Sequence, residues 1–254
     1  MAVHAPPFLF NGDDNLSLKE QFVLNFIEDS RWKYLLSGLG NTLIIAFFAV
    51  IMGIAIGIVV AMIRSTYDKN HETLARRKGI GYYLFTVINS VCKIYLTVVR
   101  GTPVVVQLLI AYFLIFQSST NGVMVASIAF GINSGAYVAE ILRGGIMSID
   151  NGQFEAGRSL GFNYVQTMIY IIIPQVFKTV LPTLLNEFIA LLKETSIAGY
   201  VGIKDLTKAG DIIRGRTFSA FMPLIAVAAV YLLLVMFLTF IVGRLERRLR
   251  KNER

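Results

Sequence analysis

The stretch GLGNTLIIAFFAVIMGIAIGIVVAMI, residues 38–63, contains no charged side chain. A transmembrane α-helix needs about 20 consecutive apolar residues to cross the hydrocarbon core of a bilayer, so this stretch predicts a membrane-spanning helix. Four more apolar stretches of similar length occur at about 84–117, 122–142, 166–192 and 222–243. The chain is therefore predicted to be an all-α, polytopic membrane protein with about five transmembrane helices.

The composition agrees with membrane embedding. Hydrophobic residues make up 55% of the 254 residues, and the mean hydropathy is +0.63, which is more apolar surface than a soluble core needs. The net charge of +8 is concentrated beside apolar segments, which is typical of membrane flanks rather than of a nucleic-acid-binding face. The single cysteine, Cys92, lies far from His4 and His71, so a disulfide framework or a Cys/His metal cluster within one chain is excluded.

The apolar stretches divide the chain into three regions. Residues 1–34 are mostly polar and lack the basic start and short apolar core of a cleavable signal, so they predict an uncleaved extracytoplasmic segment. Residues 35–244 form the transmembrane domain, and residues 245–254 form a basic cytoplasmic tail. The second apolar stretch is interrupted by Arg100-Gly101-Thr102-Pro103, where proline removes a helix donor, so a broken or kinked helix is expected there.

The orientation follows from the positive charges of the connections, because Lys- and Arg-rich loops stay in the cytoplasm. With the N-terminus outside, segments 64–81, 143–166 and 244–254 are cytoplasmic and contain thirteen Lys and Arg residues, against seven in the opposite segments. The C-terminus is then cytoplasmic. The polar connection 64–81 is expected to be a solvated loop.

Residues 152–174 read GQFEAGRSLGFNYVQTMIYIIIP, which predicts a short polar helix, a glycine turn and an apolar helix containing proline. The small residues Ala156, Gly157 and Gly161 would let another surface approach closely. An ordinary connecting turn is the alternative interpretation.

The same segment carries a known motif. Glu155, Ala156, Gly161, Ile171 and Pro174 fall at the spacing that marks permease subunits of bacterial ABC importers, whereas glycine stands at position 157 in place of the usual alanine. Over roughly residues 35–250 the chain resembles the polar amino-acid permease family. The similarity extends through residues 95–112, with the Arg100 to Pro103 run and Gln107, and through residues 133–140, 143–146 and 186–196.

This resemblance implies a type I ABC importer-like transmembrane domain. In the family the motif forms a coupling helix that sits in a cleft of the ATPase subunit, so segment 150–165 would transmit nucleotide-driven closure to the membrane helices. The residues implied in coupling are Phe154, Glu155, Ala156, Gly157 and Gly161.

The energy source is expected to be a separate protein. The chain contains no Gly-x-x-x-x-Gly-Lys-Ser/Thr sequence and so has no phosphate-binding loop of its own. We therefore expect that it is not itself an enzyme, that it binds no cofactor and that a partner ATPase subunit uses ATP and Mg. The resemblance also implies an extracytoplasmic amino-acid-binding protein, surrounding membrane lipid and a location in the bacterial cytoplasmic (inner) membrane.

Charged residues in the fourth apolar stretch are the leading substrate-site candidates. Glu187, Lys193 and Glu194 lie in or at the end of it, where an unpaired ionised group costs a few kcal/mol or more. A structural ion pair is one interpretation. The resemblance implies another, in which Lys193 meets the substrate carboxylate and Glu187 meets a positive or polar part of the substrate. A regular helix turns residues six apart by about 120°, so either the helix unwinds after Leu192 or one assignment is wrong.

Uncharged polar residues are secondary candidates. Gln107, Asn133 and Ser134 either hydrogen-bond the substrate or join helices to one another. An ion channel would need a polar ring or filter, and an intramembrane enzyme with Lys193 and Glu187 as base and acid would need a positioned catalytic constellation. Five helices are too few to enclose a translocation pathway, so a second copy or a homologous permease is expected across a two-fold axis. The predicted function is import of polar amino acids, with Glu187 favouring a cationic or amide side chain.

Overall fold

The computed structural model describes residues 16–77 and 79–251, with side chains described for 16–69 and 79–248. Every regular element in these residues is a helix, as predicted. The α-helices are α1 (Leu18–Phe22), α2 (Trp32–Arg77), α3 (Ile80–Gly101), α4 (Val104–Ile110), α5 (Gly122–Ser148), α6 (Asn151–Ser159), α7 (Tyr164–Thr167), α8 (Ile173–Glu194), α9 (Leu206–Thr217) and α10 (Phe221–Lys251). Single π-helical turns follow α1, α4 and α7, and 3₁₀ turns cover Glu28–Ser30 and Thr195–Val201.

Within the described residues, five helical runs are long and apolar enough to cross a membrane, which agrees with the predicted number. The runs are Trp32–Lys69, Ile80–Gly101, Gly122–Ser148, Tyr164–Val201 and Phe221–Arg248. Each one contains the corresponding predicted stretch or its main part.

The expected loop at 64–81 is wrong. Helix α2 continues through it to Arg77, because the sequence after Ile63 contains no glycine or proline before Gly79 and several of its residues favour helices. Trp32 begins the same helix, with its indole partly exposed and the Lys33 amino group 5.9 Å from the centre of the ring.

The predicted helix break is present. Helix α3 ends at Gly101, Thr102 and Pro103 are extended, and α4 begins at Val104. The proline has no N–H to continue the α3 hydrogen-bond ladder. The apolar helix after the break, Val104–Ile115, is shorter than the membrane-length runs.

Helices α2 and α5 form the centre of the bundle and run parallel. Gly53 packs on Ser134, and Gly57 packs on Val138 one turn later, where an added Cβ would lie 2.4 Å from Val138 Cγ1. Small residues allow two membrane helices to approach this closely. The central core is completed by apolar side chains of α2, α4, α5 and α8, among them Ile45, Leu108, Phe130 and Leu191.

The described part of the predicted polar N-terminal segment is packed against the protein. Asn25 is fully buried, donates a hydrogen bond to Ser219 Oγ (3.1 Å) and accepts one from Thr217 Oγ1 (2.8 Å). These bonds fasten the segment to the connection between α9 and α10. In contrast, Leu18 and Phe22 are exposed. At the other end of the chain, α10 continues into the predicted basic tail as far as Lys251.

Candidate functional site

The predicted coupling segment forms a short helix that is closed at both ends. Asp150 Oδ1 accepts a hydrogen bond from the Gly152 N–H at the start of α6 (2.6 Å). At the other end, the Phe162 N–H donates to the Gly157 carbonyl (3.0 Å) and the Gly161 N–H to the Arg158 carbonyl (2.9 Å). This is the Schellman arrangement, which requires a left-handed residue after the helix.

Gly161 supplies that left-handed residue. Its φ is +80°, and an added Cβ would meet nothing within 4 Å. The left-handed backbone by itself accounts for glycine at this position, and the role of Gly161 in admitting another surface stays a prediction.

Two of the predicted coupling residues face inward. Phe154 is buried and belongs to an apolar cluster with Met168 and Ile172, and Gly157 is buried against Thr167. An added Cβ at Gly157 would lie 2.7 Å from both Thr167 Cγ2 and Oγ1. The expectation that Gly157 admits a partner is corrected, since the space beside it is already filled by this chain.

Glu155 and Ala156 are the predicted coupling residues that point outward from α6. A cleft of about 540 Å³ lies beside them and is lined in part by Asp68, Lys69 and Arg158. The lysine reaches across from α2, with Nζ 2.6 Å from Asn151 Oδ1 and 4.6 Å from the centre of the Phe154 ring. Lys69 was missed from the sequence because its segment was expected to be a loop.

Helix α8 is regular past the candidate substrate residues. The α-helical conformation continues to Glu194 and tightens to 3₁₀ only from Thr195, so the helix does not unwind after Leu192. Lys193 and Glu187 therefore point about 120° apart. Among the described residues, neither side chain has a hydrogen bond or an ion-pair partner, so the structural ion pair is not formed within this chain.

One face of α8 is polar over most of its length. Thr179, Thr183, Asn186 and Lys193 are all exposed and follow one another at intervals of four, three and seven residues, which places them on one side of a helix. Glu187 and Glu194, also seven residues apart, lie along the edge of this polar face. Charged and amide groups are costly against lipid, so the face requires a polar environment inside the membrane.

The secondary candidates join helices. Gln107 Nε2 donates to the Val99 carbonyl (2.7 Å) and to Thr102 Oγ1 (2.8 Å), so it holds α4 to the end of α3. Its Oε1 accepts a hydrogen bond from Asn133 Nδ2 (3.0 Å). Asn133 and the neighbouring Ser134 are buried in α5. The contacts of Gln107 and Asn133 match the helix-joining alternative, whereas the buried Oγ of Ser134 has no hydrogen-bond partner among the described residues. The contacts do not bring the three residues onto the polar face of α8.

Comparison with known proteins identifies the family of this chain. Residues 79–251 match the protein family described as binding-protein-dependent transport system inner membrane components. The chain belongs to this family. The predicted resemblance to permease subunits of ABC importers, with the type I fold, is thereby confirmed.

Individual relatives are also amino-acid permeases by their names. The chain is 34% identical over 223 residues to the arginine transport system permease protein ArtQ of Bacillus subtilis (87% of this chain, 94% of the relative). It is 38% identical over 169 residues to the glutamine transport system permease protein GlnP of Escherichia coli K12 (65% and 77%). A solved structure described as an amino acid ABC transporter with histidines aligns with a TM-score of 0.74 at 37% identity, covering 88% of this chain and 98% of that one.

The permease also contains a group of ion pairs that the sequence did not reveal. Glu140 on α5 lies 3.5 Å from Arg100 on α3 and 3.2 Å from Arg143. Asp68 on α2 lies 3.4 Å from Arg143 and 3.9 Å from Arg64. All five residues stand in membrane-length helices, and we call them the charge network. Two pairs have a helical spacing in the sequence, Glu140 with Arg143 three apart and Arg64 with Asp68 four apart; the contacts between helices have no such signal.

Proposed function

We propose that this permease is the membrane subunit of an ATP-driven importer of polar amino acids, which moves its substrate by alternating access. The observation that carries the proposal is the polar face of α8. It is exposed on the single chain, extends over residues 179–194 of the membrane-length run Tyr164–Val201 and ends at Lys193 and Glu194. Such a face is suited to line a translocation pathway rather than to contact lipid.

The pathway needs a second wall. A second copy of the chain, or a homologous permease, would enclose the polar face if it packed across a two-fold axis. An extracytoplasmic binding protein would deliver the substrate, in keeping with the description of the family. Two named relatives are permeases for arginine and for glutamine, and both of these amino acids are polar.

We assign the substrate carboxylate to Lys193, because every amino acid carries that group and an ammonium is its natural charge partner. Glu187 would meet a cationic or amide side chain. Since α8 stays regular, the two residues are separated by about 9 Å along the helix axis and by about 120° around it. A substrate that contacts both must therefore lie across the helix surface, and the enclosing subunit would hold it there.

Coupling to ATP is assigned to α6. Glu155 and Ala156 would enter a cleft of the ATPase subunit, which binds ATP and Mg, while Phe154 and Gly157 fix α6 to the start of the α7–α8 run. Displacement of α6 would then be passed to the polar face of α8. This assignment requires α6 in the cytoplasm, the N-terminus outside and the C-terminus inside, in a bacterial inner membrane.

The deciding experiment is to purify the permease with its ATPase, reconstitute the complex in liposomes and measure ATP hydrolysis across a panel of amino acids. We expect stimulation by at least one polar amino acid, together with ATP-dependent uptake of the same compound. Ion conductance without ATP would indicate a channel. An intact permease that binds no ATPase and takes up no amino acid would refute the proposal.

A further inference from the structure

Stability alone does not explain the charge network, because ion pairs that are partly removed from water add little net stability. Removing charges from water costs several kcal/mol per ion, and their mutual attraction often only balances that cost. Arg64, Asp68 and Arg143 lie in segments predicted to be cytoplasmic, and the five side chains are 16–43% exposed, so the network stands at the ends of its helices, on the side where α6 is predicted to lie. The network is also incompletely satisfied, since three arginines share two carboxylates and the buried Nε of Arg64 has no hydrogen-bond partner in the structure.

One end of the charge network adjoins the coupling helix. Asp68 is the neighbour of Lys69, which bonds Asn151 at the first position of α6. In addition, α5 continues from Glu140 for eight residues to Ser148 and leads into α6 after two more. A displacement of α6 would therefore shift the carboxylates of both Asp68 and Glu140, because short helical connections join them to α6.

The other end adjoins the helix break. Arg100 is the last residue but one of α3, and the α4 helix that follows is held to the same end of α3 by Gln107. Arg100 also lies over the Tyr137 ring of α5, with 5.7 Å between the guanidinium carbon and the ring centre. The position where α3 gives way to α4 is thus tied to α5 by Arg100, in addition to the hydrogen bond between Gln107 and Asn133.

We propose that the charge network links the coupling helix to the break between α3 and α4, with Glu140 as its central positioning residue. This inference rests on the proposed transport function. Closure at α6 shifts α2 and α5, and the ion pair between Glu140 and Arg100 makes the end of α3 follow. Without this ion pair α6 moves and ATP is hydrolysed, but the break stays in place and the substrate is not translocated.

The test uses Glu140→Gln in the complete permease–ATPase complex in liposomes. Amino-acid uptake should fall about tenfold, a typical size for coupling between sites, while basal ATP hydrolysis stays within about twofold of wild type. Stimulation of hydrolysis by the amino acid should be lost. In an assembled complex, a merely structural role would lower basal hydrolysis and uptake together, and that result would overturn the proposal, as would normal uptake.

The matched control is Asp211→Asn on α9. Asp211 also joins two basic side chains, with Lys208 at 2.7 Å and Arg214 on its other oxygen. The hydrogen bond from Lys208 lowers the pKa of Asp211, so an ionised carboxylate is removed in both variants. Because Asp211 lies outside the membrane-length runs, its loss should leave uptake and stimulation unchanged, and equal losses in both variants would contradict the proposal.

A second variant decides the matter if Glu140→Gln does not assemble. Arg100 is the most exposed member of the network, at 43% of its side-chain surface, so Arg100→Ala should assemble and lose stimulation. Where both single variants assemble, the double variant should lose no more uptake than Glu140→Gln alone, since the two residues act together. Additive losses would overturn the link. Failure of wild type to show amino-acid-stimulated hydrolysis would instead refute the proposed transport function.

Discussion

Replacing Gly157 by alanine, the residue usual at this position in related permeases, tests the packing of the coupling helix. The new Cβ would lie 2.7 Å from two atoms of Thr167, and overpacking of this kind costs about 1–3 kcal/mol. Alanine regains up to about 1 kcal/mol through its better helix propensity. The net expectation is a loss of about 0–2 kcal/mol in the free energy of unfolding.

The loss should shrink or become a gain when Thr167 is also replaced by alanine, because the two closest atoms are then gone. Only the contact with Ile171 Cδ1, at 3.2 Å, then opposes the propensity gain of about 1 kcal/mol. Chemical denaturation in detergent micelles would measure the four proteins of this double-mutant cycle, with an expected coupling of about 1–3 kcal/mol. Gly144→Ala is the control, since an added Cβ at Gly144 on α5 meets nothing within 4 Å. If Gly157→Ala in the wild-type background stabilises as Gly144→Ala does, the reasoning is refuted.

Three further predictions concern transport and orientation. Lys193→Ala should reduce uptake of every amino acid at matched expression, because all of them present the carboxylate it meets, and wild-type uptake would remove the proposed pocket. Glu187→Gln should weaken uptake of cationic substrates by about tenfold more than uptake of neutral ones, since only a cationic substrate loses a charge partner. Equal small effects on both kinds of substrate would make Glu187 a structural residue. A cysteine at Glu155 should react with an impermeant thiol reagent only from the cytoplasmic side, whereas one at Leu18 should react only from outside.

Local signals in the sequence predicted the elements that depend on local chemistry. Proline at 103 marked the break between α3 and α4, because a missing N–H acts on its own helix. The five apolar runs marked the crossings for a similarly direct reason. The continuation of α2 to Arg77 was not predicted, since polar composition is shared by solvated loops and by helices that leave the membrane.

The candidate site was harder to predict because its contacts join distant segments. Asp68 and Arg143 are 75 positions apart in the chain, and nothing in either segment identifies the other. For Gly157, the size of the residue was known in advance but the direction it faces was not, so a glycine packed inward could not be told from one that admits a partner. The separation of Glu187 and Lys193 around α8 was calculable in advance, but whether the helix stayed regular depended on its tertiary packing.

Trp32, at the first position of α2, has a practical consequence for spectroscopy. It is the single tryptophan of the chain, and 46% of its surface is exposed. Its emission therefore reports one known location without any introduced dye. Brominated lipids, which quench a nearby indole, would measure the depth of that location in a bilayer. The same signal, followed while ATP and an amino acid are added, would record in real time whether the start of α2 moves during a transport cycle.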